Sequence, residues 1–446
     1  MPENGNRYEF IGGRLYVTPA PVTRHQRVSK RLQAALNNPI SRSLIAFLLA
    51  AAVSSCVTES AGAQALRETL PNGALLVRYP DLPAIDAIGP DVTEAHVDLR
   101  FGSRDGDDPN LLFGDIRGIQ ASSDGNIYVL DYQAAEVRVF DSDGQYLRTI
   151  VRRGEGPGEV TEANGIVLSG DTLLWIHDHG NWRILGVDLA GEQVRQFDKP
   201  VLSYGAIWDG VFDNRGRYWR DDSHSDDEQS YPPPPGWRSS TWRRYYKSYD
   251  LSNGVVDSVY LGERTYRSFY AHYRDSNGRL RWLTPGFRAS EATVVNPSGG
   301  FWHANSATYR IARTGEGGDT LVVIEAGVPA LPLTDEDRSA YIEEAVEDGP
   351  EARRAAEEVA ALMPDVKPVL GNMFVDDEGR LWVQRLTAAD APLFYDMYSE
   401  DGDYLGSVRF AFNPAFRMYF WVQHGVIYTW VVDEMDVPYV VRAPVG

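Results

Sequence analysis

The chain has one cysteine, Cys56, in 446 residues, so no disulfide can form within it. Basic residues are also short: 43 Lys and Arg stand against 63 Asp and Glu, for a formal net charge of −20. A surface that acidic repels phosphate backbones, so nucleic acid is not an expected partner. The apolar stretch Leu44–Val53 has only ten residues, well short of the ~20 an ordinary membrane-spanning helix needs. Familiar catalytic punctuation is missing too. Gly154-Glu155-Gly156-Pro157-Gly158 lacks the Lys-Ser/Thr and the following helix of a phosphate loop. Asp105 to Asp108 lacks the glycine and glutamate spacing of a helix-loop-helix calcium site. No nucleophile elbow or Ser-His-Asp constellation stands out.

What is present is a repeat. Turn glycines fall at Gly125, Gly170, Gly216, Gly299, Gly379 and Gly425, and three of the intervals are about 45 residues, the length of one four-stranded propeller blade. Three residues after five of these glycines stands an aromatic: Tyr128, Trp219, Trp302, Trp382 and Tyr428. Trp175 takes the corresponding place after the longer turn at Gly170. Glycine suits the turn because positive φ costs it nothing, and a flat side chain fills the space between twisted sheets. A second set of turns follows, at Asp141–Gly144, Asp188–Gly191, Ser252–Gly254, Gly315–Gly317 and Glu400–Gly402. Short strands, regular turns and alternating apolar residues predict an all-β fold: a six-bladed β-propeller of four-stranded antiparallel blades over residues 95–446. The last blade, from about Phe416 to Arg442, has room for three strands. Val97–Gly102 has the texture of a fourth strand and is expected to complete it, which closes the ring and protects its edges.

Two insertions interrupt the period. Residues 221–243 are acidic and then proline-rich, with Pro232–Pro235 in succession, and predict a solvated, extended loop. Residues 334–363 predict a helical hairpin, because Thr334 and Asp337 form a capping-box start and Pro350 opens a second Ala/Glu/Arg-rich segment. Residues 66–94 form a lead-in with a possible hairpin about Pro71-Asn72-Gly73.

Asp124–Asp131, Val137–Asp141, Gly154–Glu159, Gly379–Val383 and Asp436–Arg442 together resemble the NHL-type six-bladed propellers, and most of all bacterial propeller lipoproteins. The resemblance covers about residues 95–446. It implies a scaffold rather than an activity, since one fold hosts many functions. The amino-terminal region differs. Arg7–Val17, with Gly12-Gly13 as a two-residue turn, and the amphipathic segment from His25 to Leu36 resemble the start of restriction-endonuclease-like proteins of the PD-(D/E)XK type. The Asp and Glu-x-Lys that would hold such a nuclease's metal do not follow. Residues 1–40 are therefore expected to be a truncated, inactive fragment or a misassigned start. Residues 41–65, with basic Lys30 and Arg31 upstream, carry the parts of an export signal: Arg42, a short apolar core, then small residues. Val53-Ser54-Ser55-Cys56 resembles a lipobox, which would lipidate Cys56 and tether the protein to a membrane. Ala63-Gln64-Ala65 offers ordinary cleavage as the alternative, which would leave a soluble periplasmic or extracellular protein.

Candidate chemistry sits where the second strand of each blade ends. Six residues after the turn glycine stand Asp131, Asp222, Asn305, Arg385 and Val431, with Asp178 as the match in the second blade. Oxygen ligands in a ring could hold calcium, and the gluconolactonase-like and paraoxonase-like propellers use such a metal on a lactone or ester carbonyl. The competing reading is that these residues cap strand ends, and Arg385 and Val431 interrupt the ring. His177 and His179 could begin a zinc site, but no third ligand can be assigned. The expectation is an exported, membrane-tethered, monomeric propeller that binds an envelope protein or small ligand without catalysis. A divalent-metal-dependent lactonase or esterase is the alternative, and a nuclease remnant the third reading.

Overall fold

The computed structural model describes residues 64–445, apart from 107, 199–206, 209, 226–230, 251–253, 255, 347–348, 388–390 and 418, together with the backbone of residues 6–11 and 14–19. The chain is a six-bladed β-propeller. Each repeat glycine makes the turn between a blade's first and second strands, as at Gly125 and Gly379, whose φ values of +87° and +80° favour glycine. In blade 1, Ile116–Ala121, Ile127–Asp131, Glu136–Phe140 and Tyr146–Arg153 pair in sequence order, and blade 2 repeats this with Ala163–Ser169, Leu173–Asp178, Arg183–Asp188 and Gln193–Asp198. First strands of neighbouring blades touch near the axis where blade 1 meets blades 2 and 6 and where blade 4 meets blade 5.

Ring closure follows the sequence expectation. Leu99–Phe101 pairs antiparallel with Pro438–Pro444, setting Phe101 opposite Val440 and Leu99 opposite Arg442. The amino-terminal end of the propeller thus supplies the fourth strand of blade 6, and the ends of the ring are zipped by backbone hydrogen bonds. The lead-in does more than approach. Its hairpin, Leu66–Thr69 and Leu75–Tyr79, extends the outer edge of blade 4 in parallel with Thr320–Ala326. Val92–Ala95 does the same beside Tyr404–Phe410 of blade 5.

The core is six layers, one between each pair of blades, and the repeated aromatic lands in the layer shared with the following blade every time. Tyr128 packs between blades 1 and 2, Trp175 between 2 and 3, and Trp219 between 3 and 4. Trp302, Trp382 and Tyr428 fill the remaining three. All six are buried. In blades 3 and 5 the ring is also anchored from its own turn. Asp213 Oδ2 accepts from the Trp219 indole at 2.8 Å and Asp376 Oδ2 from the Trp382 indole at 2.7 Å, while each Oδ1 accepts two backbone amides of the turn. Burying an indole N–H without a partner would be costly, and this arrangement removes that cost.

The layers are unequal. Between blades 3 and 4 the buried cluster among the described residues is Trp219, Val295 and Phe301, and polar bonds take over, including Arg217 to Glu316 at 2.8 Å and Arg264 to Glu291 at 3.0 Å.

Blade 3 also departs from the expected solvated loop. Gly236–Asp250 and Val256–Arg274 are its third and fourth strands, and they run on past the blade as a two-stranded arm. Residues 236–243, assigned to a loop because of the preceding prolines, are strand. From Ser240 to Arg243 half-buried and exposed residues alternate, as in a ribbon more exposed on one side. The prolines fold back on it, where Pro233 O lies 2.6 Å from His272 Nε2. The helical hairpin forms as expected: α1 (Asp335–Val346) and α2 (Pro350–Ala360). Thr334 N–H donates to Asp337 at 3.0 Å and Asp337 N–H to the Thr334 hydroxyl at 3.2 Å, a reciprocal cap. The alanine face of α2 packs on Phe269, Ala271 and Tyr273 of the arm, so the helices buttress the arm from behind.

The hairpin expected near the amino terminus is present as backbone, Asn6–Ile11 paired with Arg14–Pro19. The His25–Leu36 segment, the apolar stretch, Cys56 and Ala63 of the Ala63-Gln64-Ala65 signal lie outside the described residues. Among the described residues, no helix is long and apolar enough to cross a membrane.

Candidate functional site

Strands within a blade alternate in direction, so loops from second to third strands and the blade-to-blade connections emerge on one face. The residues at the ends of the second strands all lie there, but they do not converge. Asp131 is buried and accepts from the amides of Gly114 and Gln133 at 3.0 Å, with Arg138 at 3.6 Å. Asp178 accepts from Thr161 N–H, the Asn181 amide and Arg183. Asp222 is held by Arg220 at 2.6 Å and Lys247 at 2.5 Å. Asn305 donates to Glu291 at 2.7 Å. Arg385 forms two bonds to Asp396, at 2.6 and 2.7 Å, and a third to Pro83 O. Blade 5 therefore carries the Asp–Arg pair of blades 1 and 2 with its ends exchanged, the cation on the second strand and the anion on the third. Val431 is a half-buried strand residue.

This donor set does not fit a shared calcium. The carboxylate oxygens of Asp131 and Asp178 are already occupied by amides and guanidinium groups, and each belongs to its own blade. Among the described residues no three His, Cys, Asp or Glu come together as a metal-binding group. His177 and His179 are both buried, but their ring centroids lie 6.2 Å apart, and His177 stacks on Trp208 at 5.4 Å. Burial pushes the His177 pKa down to about 3.

A different site emerges on the same face, where the arm overhangs the mouth of the ring between blades 3, 4 and 5. A cleft of about 650 Å³ separates the arm from the innermost strands, within the ~300–1,000 Å³ range of small-molecule sites. Its arm wall presents Trp242, Arg244 and Tyr246, which alternate along one strand and so share a face, with Tyr266 from the neighbouring strand. Asp221 and Ser223 close one end. Glu291–Val294 of blade 4 and Gly371–Met373 of blade 5 form the opposite wall.

The walls are held by bonds across the cleft. Tyr246 donates its hydroxyl to Thr293 O at 3.1 Å, and Arg244 donates to the Thr293 hydroxyl. Behind Thr293, its hydroxyl lies 3.1 Å from His303 Nδ1, whose Nε2 lies 2.9 Å from the Thr314 hydroxyl. Burial and the Arg244 charge pull the His303 pKa down to about 4. Glu291 is compensated by Arg264 and bonded by Asn305. Thus two of the sequence candidates, Asp222 and Asn305, flank this cleft without lining it.

The lining residues of the arm escaped the sequence reading because they lie in and beyond the segment assigned to a loop. A compositional signal was present. Residues 236–274 carry seven Lys or Arg against three Asp or Glu, in a chain of the opposite net charge, and ten aromatic residues. Such a segment has reason to be more than solvated filler.

A family model described as a 6-bladed beta-propeller matches residues 107–219. No curated protein sequence matches the chain. Among solved structures, a member of the DUF4221 family from Bacteroides vulgatus is 13% identical with a TM-score of 0.41, covering 79% of this chain and 98% of that one. A Bacteroides fragilis protein described as exported is 12% identical with a TM-score of 0.37, covering 80% and 99%. A virginiamycin B lyase from Staphylococcus aureus is 10% identical with a TM-score of 0.34, covering 74% and 94%.

Proposed function

We propose that this protein is an exported, envelope-tethered propeller of the NHL-like lipoprotein kind, and that its cleft beneath the arm binds a small ligand without transforming it. The cleft carries the reading: it has one aromatic wall, a few placed polar groups and the size of a ligand site. At the cleft, the pair that most resembles a nucleophile and base is Thr293 with His303. With its pKa near 4, His303 is a weak base at neutral pH, and its far nitrogen meets a threonine hydroxyl rather than a carboxylate. A hydrolase using Asp131 or Asp178 would have to break the amide and arginine bonds that hold those strand ends. The lipobox-like Val53-Ser54-Ser55-Cys56 supports the tether. Residues 1–40 have no part in the function proposed.

Two measurements test this. Mass spectrometry of the mature amino terminus should find a lipid-modified Cys56; an unmodified start at Leu66 would end the tether. Intrinsic tryptophan fluorescence of the full chain, screened against small peptides, saccharides and carboxylic acids, should respond to at least one class. That response should vanish in Trp242→Ala. A ligand whose binding ignores both Trp242→Ala and Tyr266→Ala would place the site elsewhere.

A further inference from the structure

The charges that line the cleft are not all matched. Glu291 faces Arg264 at 3.0 Å, and Asp222, just outside, faces Arg220 and Lys247. Arg244 bonds only the neutral Thr293 hydroxyl, and among the described residues it meets no carboxylate within ion-pair distance. Asp221 accepts the Ser223 amide at 2.7 Å and likewise meets no cation among the described residues. Strand register sets these two beside each other. Asp221 lies opposite Tyr246 and Arg244 stands two residues along, so both side chains leave the same face of the sheet as diagonal neighbours. Diagonal neighbours are roughly 7–8 Å apart at the backbone, a gap that a ligand's charged groups can bridge. Trp242, Tyr246 and Tyr266 supply flat apolar surface around that pair.

Taking the cleft as the binding site just proposed, we infer that its ligand is a small zwitterion with an apolar or aromatic side group, of short-peptide size. The carboxylate is held by Arg244, the ammonium by Asp221, and the side group lies against the aromatic wall. A planar guanidinium suits a carboxylate because it can donate two parallel bonds. A neutral saccharide would leave both charges unanswered.

The test uses the full chain and the tripeptide Ala-Phe-Ala, its N-acetylated form, its C-amidated form and maltotriose, each titrated against tryptophan fluorescence and by calorimetry. The free tripeptide should bind about tenfold or more tighter than either blocked form, as expected for losing one charge-assisted bond. Arg244→Gln should abolish the preference over the amide while keeping the preference over the N-acetyl form. Asp221→Asn should do the reverse. Both positions are at least partly exposed, and thermal melting should confirm that each variant folds. Equal affinity for free and blocked peptides, or no peptide binding at all, overturns the ligand class. Maltotriose binding that Trp242→Ala abolishes would overturn it too, while leaving the cleft as a ligand site.

Discussion

Asp376 gives the sharpest test of how the repeat holds together. Its Oδ1 accepts the amides of Glu378 at 3.1 Å and Arg380 at 2.9 Å, and its Oδ2 accepts the Arg380 guanidinium and the Trp382 indole, each at 2.7 Å. Trp382 is fully buried between blades 5 and 6. Asp376→Ala removes all four bonds and leaves the indole N–H without water or partner. A bond involving a charged group contributes about 1.5–3 kcal/mol and a stranded buried donor costs about 1–3 kcal/mol. Allowing for non-additivity among bonds sharing one carboxylate, the expected loss is about 3–5 kcal/mol. Asp141 is the internal control. It makes the same two amide bonds, at 3.0 and 2.8 Å, without holding an aromatic, so Asp141→Ala should cost about 1–2 kcal/mol. Urea unfolding followed by tryptophan fluorescence and circular dichroism reads both. In the double variant Asp376→Ala, Trp382→Phe the second change should cost less than in the wild type, because no N–H remains to be stranded. Equal losses for Asp376→Ala and Asp141→Ala would refute the idea that the turn carboxylate acts through the inter-blade ring.

The remaining expectations concern buried charge. His177 has its pKa depressed to about 3 by burial, so below its ordinary value the unfolded chain takes a proton that the folded chain refuses. Stability should fall as pH drops from about 6.5 toward 4, by roughly 3 kcal/mol from this residue alone; His177→Phe should flatten that slope, and an unchanged slope would remove the residue from the account. Asp396 takes two bonds from Arg385 and others from Tyr309 and Ser407, at 2.6 to 2.7 Å, in a fully buried network. Asp396→Ala should cost about 3–5 kcal/mol by stranding the Arg385 cation, and Arg385→Met on that background should restore much of it. A double variant no better than the single in urea unfolding would count against the stranded charge as the cause.

The ring was legible because it repeats. A turn glycine recurs six times, with an aromatic three residues later in five of them and five residues later, at Trp175, in the sixth. Closure by Leu99–Phe101 was legible for a related reason: a blade one strand short needs its fourth from the other end of the chain. The Asp213 and Asp376 anchors were within reach, since both stand three residues before the turn glycine and six before the tryptophan, but their bonds depend on how the turn folds. The candidate ring of Asp131, Asp178, Asp222, Asn305 and Arg385 shows the limit. Spacing placed all five on one face, yet spacing is silent about what each side chain bonds, and local amides and arginines lie nearer than any shared centre.

From the sequence alone come the period, the number of blades, the residue type between them and the place where the ring closes, because each follows from turn chemistry and strand alternation along a short stretch of chain. The cleft belongs to the tertiary structure. Trp242, Arg244 and Tyr246 meet Glu291–Val294 and Gly371–Met373 only after three blades have closed and two helices have propped the arm over the ring's mouth. No local rule encodes that meeting, because the two walls lie far apart in the chain and are joined by the curvature of the whole ring.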